Sequence, residues 1–138
     1  MKTTSYEISK KLKEAGFENS YIYAWYSDSE GLPWIQEIQH AKPTAVNKYR
    51  EEVKLTFTAP AYDLETILDA LPAFIEHNNI RYDLWLWNNG IGYYPNYDKY
   101  SGDGVYNMEN GIYEFGDDES LADTAGKMWL MLKEKGLV

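Results

Sequence analysis

Apolar residues recur at helical spacing in three separate segments of this chain and alternate at period two between them, a pattern that only a mixed fold can bury. In the first segment Ile8, Leu12 and Ala15 share one helical face. They follow Thr4-Ser5-Tyr6-Glu7, which has the form of a capping box, and precede Gly16, which can take the left-handed conformation that closes a helix. The spacing predicts a helix over 5–15. In the second segment Asp63 is placed to cap, and Leu64, Ile67, Leu68 and Leu71 form a stripe. Pro72 disfavours a helical Leu71, so this helix either stops there or restarts with Pro72 in its first turn and runs to Asn78-Asn79. The third is the clearest: Leu121, Ala125, Met128, Trp129 and Leu132 follow an acidic Asp-Asp-Glu-Ser and end at Lys133, Lys135 and Gly136, the charge order a helix dipole prefers.

Between the helices the pattern is that of strands. Tyr21 to Ser27 is rich in aromatic residues that suit a pleated surface, and Ser-Asp-Ser-Glu-Gly after it predicts a hairpin turn. The return, around Ile35, is restricted by Pro33 to an edge or to starting after the proline. Val53, Leu55 and Phe57 alternate with Lys54, Thr56 and Thr58 as one continuous strand, whereas 40–50 carries no clear pattern. Period two then places Tyr82, Leu84 and Leu86 on a core face and Asp83, Trp85 and Trp87 on the other. Asn88-Asn89-Gly90 predicts a hairpin turn with Ile91 to Tyr94 returning. Glycine, proline, asparagine and aspartate punctuate 95–110, which reads as a long loop with room for a short strand at 105–108, and a last short strand is expected around Gly111. The fold expected is α+β: a mainly antiparallel sheet of four to six strands with three amphipathic helices packed on it, in a single domain over 1–138.

Composition narrows the chemistry. The chain has no cysteine, which excludes disulfides, a thiolate nucleophile and cysteine-ligated metal. Its two histidines, His40 and His77, lie too far apart in sequence for a helical ligand pair, so no metal and no cofactor is expected. Asp98 to Glu109 superficially matches a calcium loop, but Tyr100 and Gly102 stand where oxygen ligands belong and Asp103 stands where the turn requires glycine. There is no phosphate-binding glycine loop, nucleophile elbow or Ser/His/Asp set, and no catalytic residue is assigned. Asp83, Glu109 and Glu114 supply carboxylates for a hydrolase with an Asp/Glu pair, with His77 as a further candidate, but among 22 acidic residues such a pair carries little information. The net charge is −9, and Asp98 to Asp123 holds eight acidic residues against the single base Lys99. Such a field repels phosphate backbones, so direct nucleic-acid binding is not expected. The amino-terminal stretch lacks the apolar run of a signal peptide, and no segment approaches the roughly 18 apolar residues of a membrane span. A cytoplasmic protein without membrane association is expected.

Aromatic residues make up 16% of the chain and concentrate from Arg81 to Tyr100. Trp85, Trp87, Tyr93, Tyr94, Tyr97 and Tyr100 are the candidate binding residues. Rings with amides and carboxylates beside them suit a stacking platform for sugars, and they equally suit a sheet core or a protein contact. Tyr97 and Tyr100 fall in the expected acidic loop, where no core requires them, so binding is sought there and on the Trp85/Trp87 face.

Glu7-Ile-Ser-Lys-Lys-Leu-Lys-Glu-Ala-Gly-Phe17, the aromatic strand from Tyr21, Phe57-Thr-Ala-Pro-Ala-Tyr-Asp-Leu-Glu-Thr-Ile-Leu-Asp-Ala-Leu-Pro72, and the closing Ser120 to Val138 together resemble a diffuse group of small bacterial proteins carried on prophages and other mobile elements. The resemblance covers most of the chain in order, with 95–110 standing apart from it, and it implies a genomic setting and no mechanism. The function expected is that of a non-enzymatic accessory protein acting through contacts with a protein partner or a second copy of itself. One variant is an acidic decoy that occupies a nucleic-acid site. The alternatives are a carbohydrate or small-ligand module using exposed Trp and Tyr, and the hydrolase.

Overall fold

A computed structural model describes residues 3–88, 93–101, 104–107 and 120–138; for 87, 88, 93, 94, 100, 101 and 104–107 it describes the backbone alone. The described residues form three helices, α1 (Tyr6–Glu14), α2 (Leu64–Ala70) and α3 (Leu121–Glu134). With them are nine strands: β1 (Tyr23–Ser27), β2 (Pro33–Glu37), β3 (Thr44–Val46), β4 (Glu52–Lys54), β5 (Thr56–Ala61), β6 (Phe74–His77), β7 (Ile80–Asn88), β8 (Tyr93–Ser101) and β9 (Gly104–Asn107). The α+β class with three helices and antiparallel pairing is as expected. The strands divide among three sheets, ordered β2-β1-β5, β3-β4 and β6-β7-β8-β9.

The helix ends follow from local chemistry. Ser5 Oγ accepts from Ile8 N at 3.4 Å, one residue later than Thr4 as the cap, and Asp63 and Ser120 cap α2 and α3 in the same way. Thr4 is fully buried instead; its hydroxyl meets Ser9 Oγ at 2.6 Å and accepts from Tyr62 N at 3.1 Å. At the end of α1, Gly16 has φ +86°, and the amides of Gly16 and Phe17 donate back to Lys13 O and Leu12 O. α3 closes identically through Gly136, so both helices end in a Schellman motif. α2 stops at Leu71, and the residues that a restarted helix would have used form β6. Asn78 and Asn79, both at positive φ (54° and 63°), are the two-residue turn between His77 and Ile80. Asn79→Val, which forces a β-branched residue into that conformation, is expected to cost about 1–2 kcal/mol in urea unfolding, and Asn79→Gly less than about 0.5 kcal/mol.

Two strand expectations are corrected. The expected continuous strand from Val53 to Thr58 is interrupted at Leu55: β4 pairs with β3, and β5 pairs with β1. Tyr26 faces Phe57 and Trp25 faces Ala59, so Thr58 is an extra residue in a bulge. Val53 and Leu55 are buried, whereas Phe57, expected beside them, is exposed. The second correction is larger. The expected loop from Pro95 is strand β8, paired with β7 so that Tyr97 stands opposite Leu84, and Tyr97 is completely buried. Pro95 lies in the part of β8 that β9 does not reach, where among the described residues no strand pairs with the outer edge and a missing amide is tolerated. Leu86, expected on the core face, is 49% exposed, although Pro95 opposite it in register is buried. The expected turn at 89–90, Ile91 and the strand around Gly111 lie outside the described residues.

The core lies where α1, α2 and α3 meet β8. Phe17 is its hub, edge-to-face with Tyr62 at 4.7 Å and with Trp129 at 4.9 Å, and Leu12, Ile67, Met128 and Leu132 fill the space around it.

Candidate functional site

The outer face of β6 and β7 is built by period-two alternation. Arg81, Asp83 and Trp85 share that face, and the register Phe74↔Asp83 puts Phe74 beside them. The Arg81 guanidinium lies 4.0 Å from the Phe74 ring centroid, and its Nε is 3.0 Å from Asp83 Oδ1. Asp98 stands opposite Asp83 in register and is completely buried. Beyond it Trp85 is 47% exposed, opposite Asn96, and Phe74 is 46% exposed.

Of the six aromatic residues singled out in the sequence, Trp85 is therefore on the surface. Tyr97 is not: it lies on the inner face, and its hydroxyl donates to Pro72 O at 2.6 Å. Burial raises the phenol well above its ordinary value, so Tyr97 is a structural residue and contributes no ring to a solvent-facing platform. Trp87 pairs with Tyr94, Tyr93 with Asn88 and Tyr100 with Val105 through the backbone; their side chains lie outside the described residues. The two hydrolase candidates among the described residues, His77 and Asp83, do not converge. His77 pairs with Ile80 and Asp83 with Phe74, three register positions apart, which is about 10 Å along the strand and on opposite faces. Glu109 and Glu114 lie outside the described residues. His40 sits in a short 3₁₀ turn, Ile38–His40, after β2. Among the described residues no three His, Asp or Glu side chains lie together as metal ligands, and no helix is long and apolar enough to cross a membrane.

A second site was not singled out from the sequence. The β1–β2 turn and the β3–β4 turn face each other across a cavity of about 390 Å³. Gln36 links the two hairpins: its side-chain amide donates to Lys42 O at 3.1 Å and accepts from Lys42 N at 2.9 Å. On one side Asp28 organises the turn. Its Oδ1 accepts from the amides of Glu30 (2.9 Å) and Leu32 (3.0 Å), and its Oδ2 accepts from Trp34 Nε1 at 3.0 Å. The indole donor, with these backbone amides, holds the carboxyl below its ordinary value against the opposing effect of burial, so Asp28 is anionic and Trp34 is fixed in orientation. On the other side Asn47 Oδ1 accepts from the amides of Tyr49 (2.9 Å) and Glu51 (3.0 Å), an Asx-type turn that presents Tyr49 with 67% of its surface exposed. The signal was present in Asn-Lys-Tyr-Arg-Glu, where asparagine precedes tyrosine by two residues. What no local pattern carried is that this turn meets the one around Asp28.

The fold and these two surfaces define a small α+β protein that displays rings at a sheet face and at a pair of hairpin turns. No family model matches the chain, and searches among curated proteins and among solved structures return no match.

Proposed function

We propose that this chain is a non-enzymatic accessory protein of a phage or mobile element, acting in the cytoplasm by contact with a partner protein through the end of β7 and the adjoining Phe74. The observation that carries this reading is that Trp85 and Leu86, successive residues on opposite faces of one strand, are both about half exposed. A strand segment with half-exposed apolar side chains on both faces suits insertion into a partner's surface, where tryptophan is among the residues that dominate binding energy. The net charge of −9 favours a partner with a basic surface and disfavours a second, equally acidic copy. The hydrolase reading has less support, because Asp83 and His77 occupy opposite faces.

The test is affinity capture across a salt series with the wild-type chain and a Trp85→Ala/Leu86→Ser variant. Both side chains are exposed, so the variant should melt within a few degrees of wild type. A specific partner should be retained by the wild type, and the variant should lose it by about 30-fold or more, the scale of an aromatic hot spot. Absence of a specific partner at every salt concentration, or equal retention by the variant, would rule this reading out.

A further inference from the structure

We infer that the cavity between Trp34 and Tyr49 is a receptor for a cationic side chain, the guanidinium of an arginine presented by a polypeptide. The first support is electrostatic. Aromatic faces attract cations through their quadrupole, and one of these rings already has one: Lys48 Nζ lies 5.1 Å from the Tyr49 centroid. Asp28, largely buried and anionic, and the exposed Glu30 add negative charge to the same cavity. Lys48 thus acts as an internal occupant that an incoming guanidinium displaces.

The second support comes from counting acceptors. A sugar ring of comparable size would need several directional hydrogen bonds, yet the polar groups here are committed. Asp28 already receives three N–H donors, and Asn47 Oδ1 receives two. Glu30 and Lys48 remain for hydroxyl groups. A planar cation needs only ring faces and a nearby carboxylate, and a guanidinium stacks on an indole more readily than a strongly hydrated ammonium does. One wall is set in advance, Trp34 by its indole bond to Asp28, and the Asn47 turn fixes the backbone that carries Tyr49, so part of the ordering cost is met before binding.

This site uses residues separate from the Trp85/Leu86 end of β7, and its test needs no partner, so either reading can fail while the other stands. The probe is the peptide acetyl-Gly-Arg-Gly-amide, followed by the indole N–H resonance of Trp34 in ¹⁵N spectra. The isosteric citrulline peptide is the neutral control. Saturation is expected at a dissociation constant of tens of millimolar, with about 2–5-fold weaker binding in Glu30→Gln and in Tyr49→Ala. Glu14→Gln, which removes the same charge from α1, should leave the constant unchanged. Lys48→Ala should tighten binding by about 2–3-fold, because the internal cation no longer competes for the ring. The inference is overturned if the citrulline peptide moves Trp34 equally, if Glu14→Gln weakens binding as much as Glu30→Gln, if Lys48→Ala brings no gain, or if Trp34 does not respond by about 50 mM peptide.

Discussion

Replacing Tyr97 by alanine is expected to cost about 3–5 kcal/mol of folding stability, enough to lower the melting temperature by more than 10 °C. Tyr97 has no exposed surface, stands opposite Leu84 on the inner face of β8, and belongs to the cluster formed with Phe17, Tyr62, Met128 and Trp129. Alanine would leave a cavity there and an unmatched Pro72 carbonyl. Tyr97→Phe keeps the ring and loses only the 2.6 Å bond to Pro72 O, for about 1 kcal/mol. The pH dependence follows from the same burial. The folded chain keeps this phenol protonated after the unfolded chain has ionised it, so the contribution is complete below pH about 10 and declines as pH rises further. Tyr97→Phe should make that alkaline decline shallower without abolishing it, because Tyr62 is also raised by burial. Urea unfolding at neutral and alkaline pH checks both statements. A cost below about 1 kcal/mol for the alanine variant would return 95–101 to the surface loop that its composition suggests.

The contrast between Tyr97 and the helix caps shows which features the sequence made legible. Ser5, Asp63 and Ser120 each satisfy an amide three residues away, so cap and helix start are written in adjacent positions. The same holds for Gly16 and Gly136, whose positive φ closes a motif six residues long. Tyr97 depends on a register with β7 and on α3, which begins more than twenty residues later, and its neighbours Pro95, Asn96 and Asp98 are turn formers that locally argue for a loop. Tertiary pairing overrode that preference. Asn78-Asn79 illustrates a middle case: the two residues correctly marked an end of regular structure, but a helix stop and a type I′ hairpin turn use the same residue types. Phe57 does not share the face of Val53 and Leu55 because the strand breaks at Leu55: Val53 pairs within β3-β4, whereas Phe57 belongs to β5 and pairs with Tyr26 of β1, and the bulge at Thr58 then separates it from the buried Ala59. The candidate sites divide along the same line. Trp85 follows from alternation within one strand and was found. The cavity of Trp34 and Tyr49 joins two turns through Gln36 and Lys42, and nothing in either turn names the other.

Gly126→Ala is expected to destabilise the chain by about 1–2 kcal/mol, although in a solvent-facing helix the same change stabilises by up to about 1 kcal/mol. Gly126 is buried in the middle of α3, and a Cβ there would stand 2.8 Å from Ile8 Cγ2, 3.4 Å from Leu12 Cδ1 and 3.6 Å from Thr4 Cγ2. The nearest of these is the branch methyl of a β-branched residue on α1, which a change of its outer torsion leaves in place. The two helices are also joined at their starts, where Ser5 N donates to Asp123 Oδ1 at 2.7 Å, so neither can move aside without breaking that bond. Valine at 126 should cost about 3 kcal/mol or more, because it places two further methyl groups against the same wall. The background Ile8→Leu separates propensity from packing. Leucine has no Cγ2, so Gly126→Ala introduced there should lose most of its penalty, giving a coupling of about 1 kcal/mol or more in a double-mutant cycle of urea midpoints. Equal costs in both backgrounds, or a net gain for Gly126→Ala alone, would mean that α1 and α3 are not in such close contact. A coupling of the expected size would instead identify Gly126 as the residue that lets α3 approach α1, with Thr4 enclosed between them and able to hold the chain start to Tyr62.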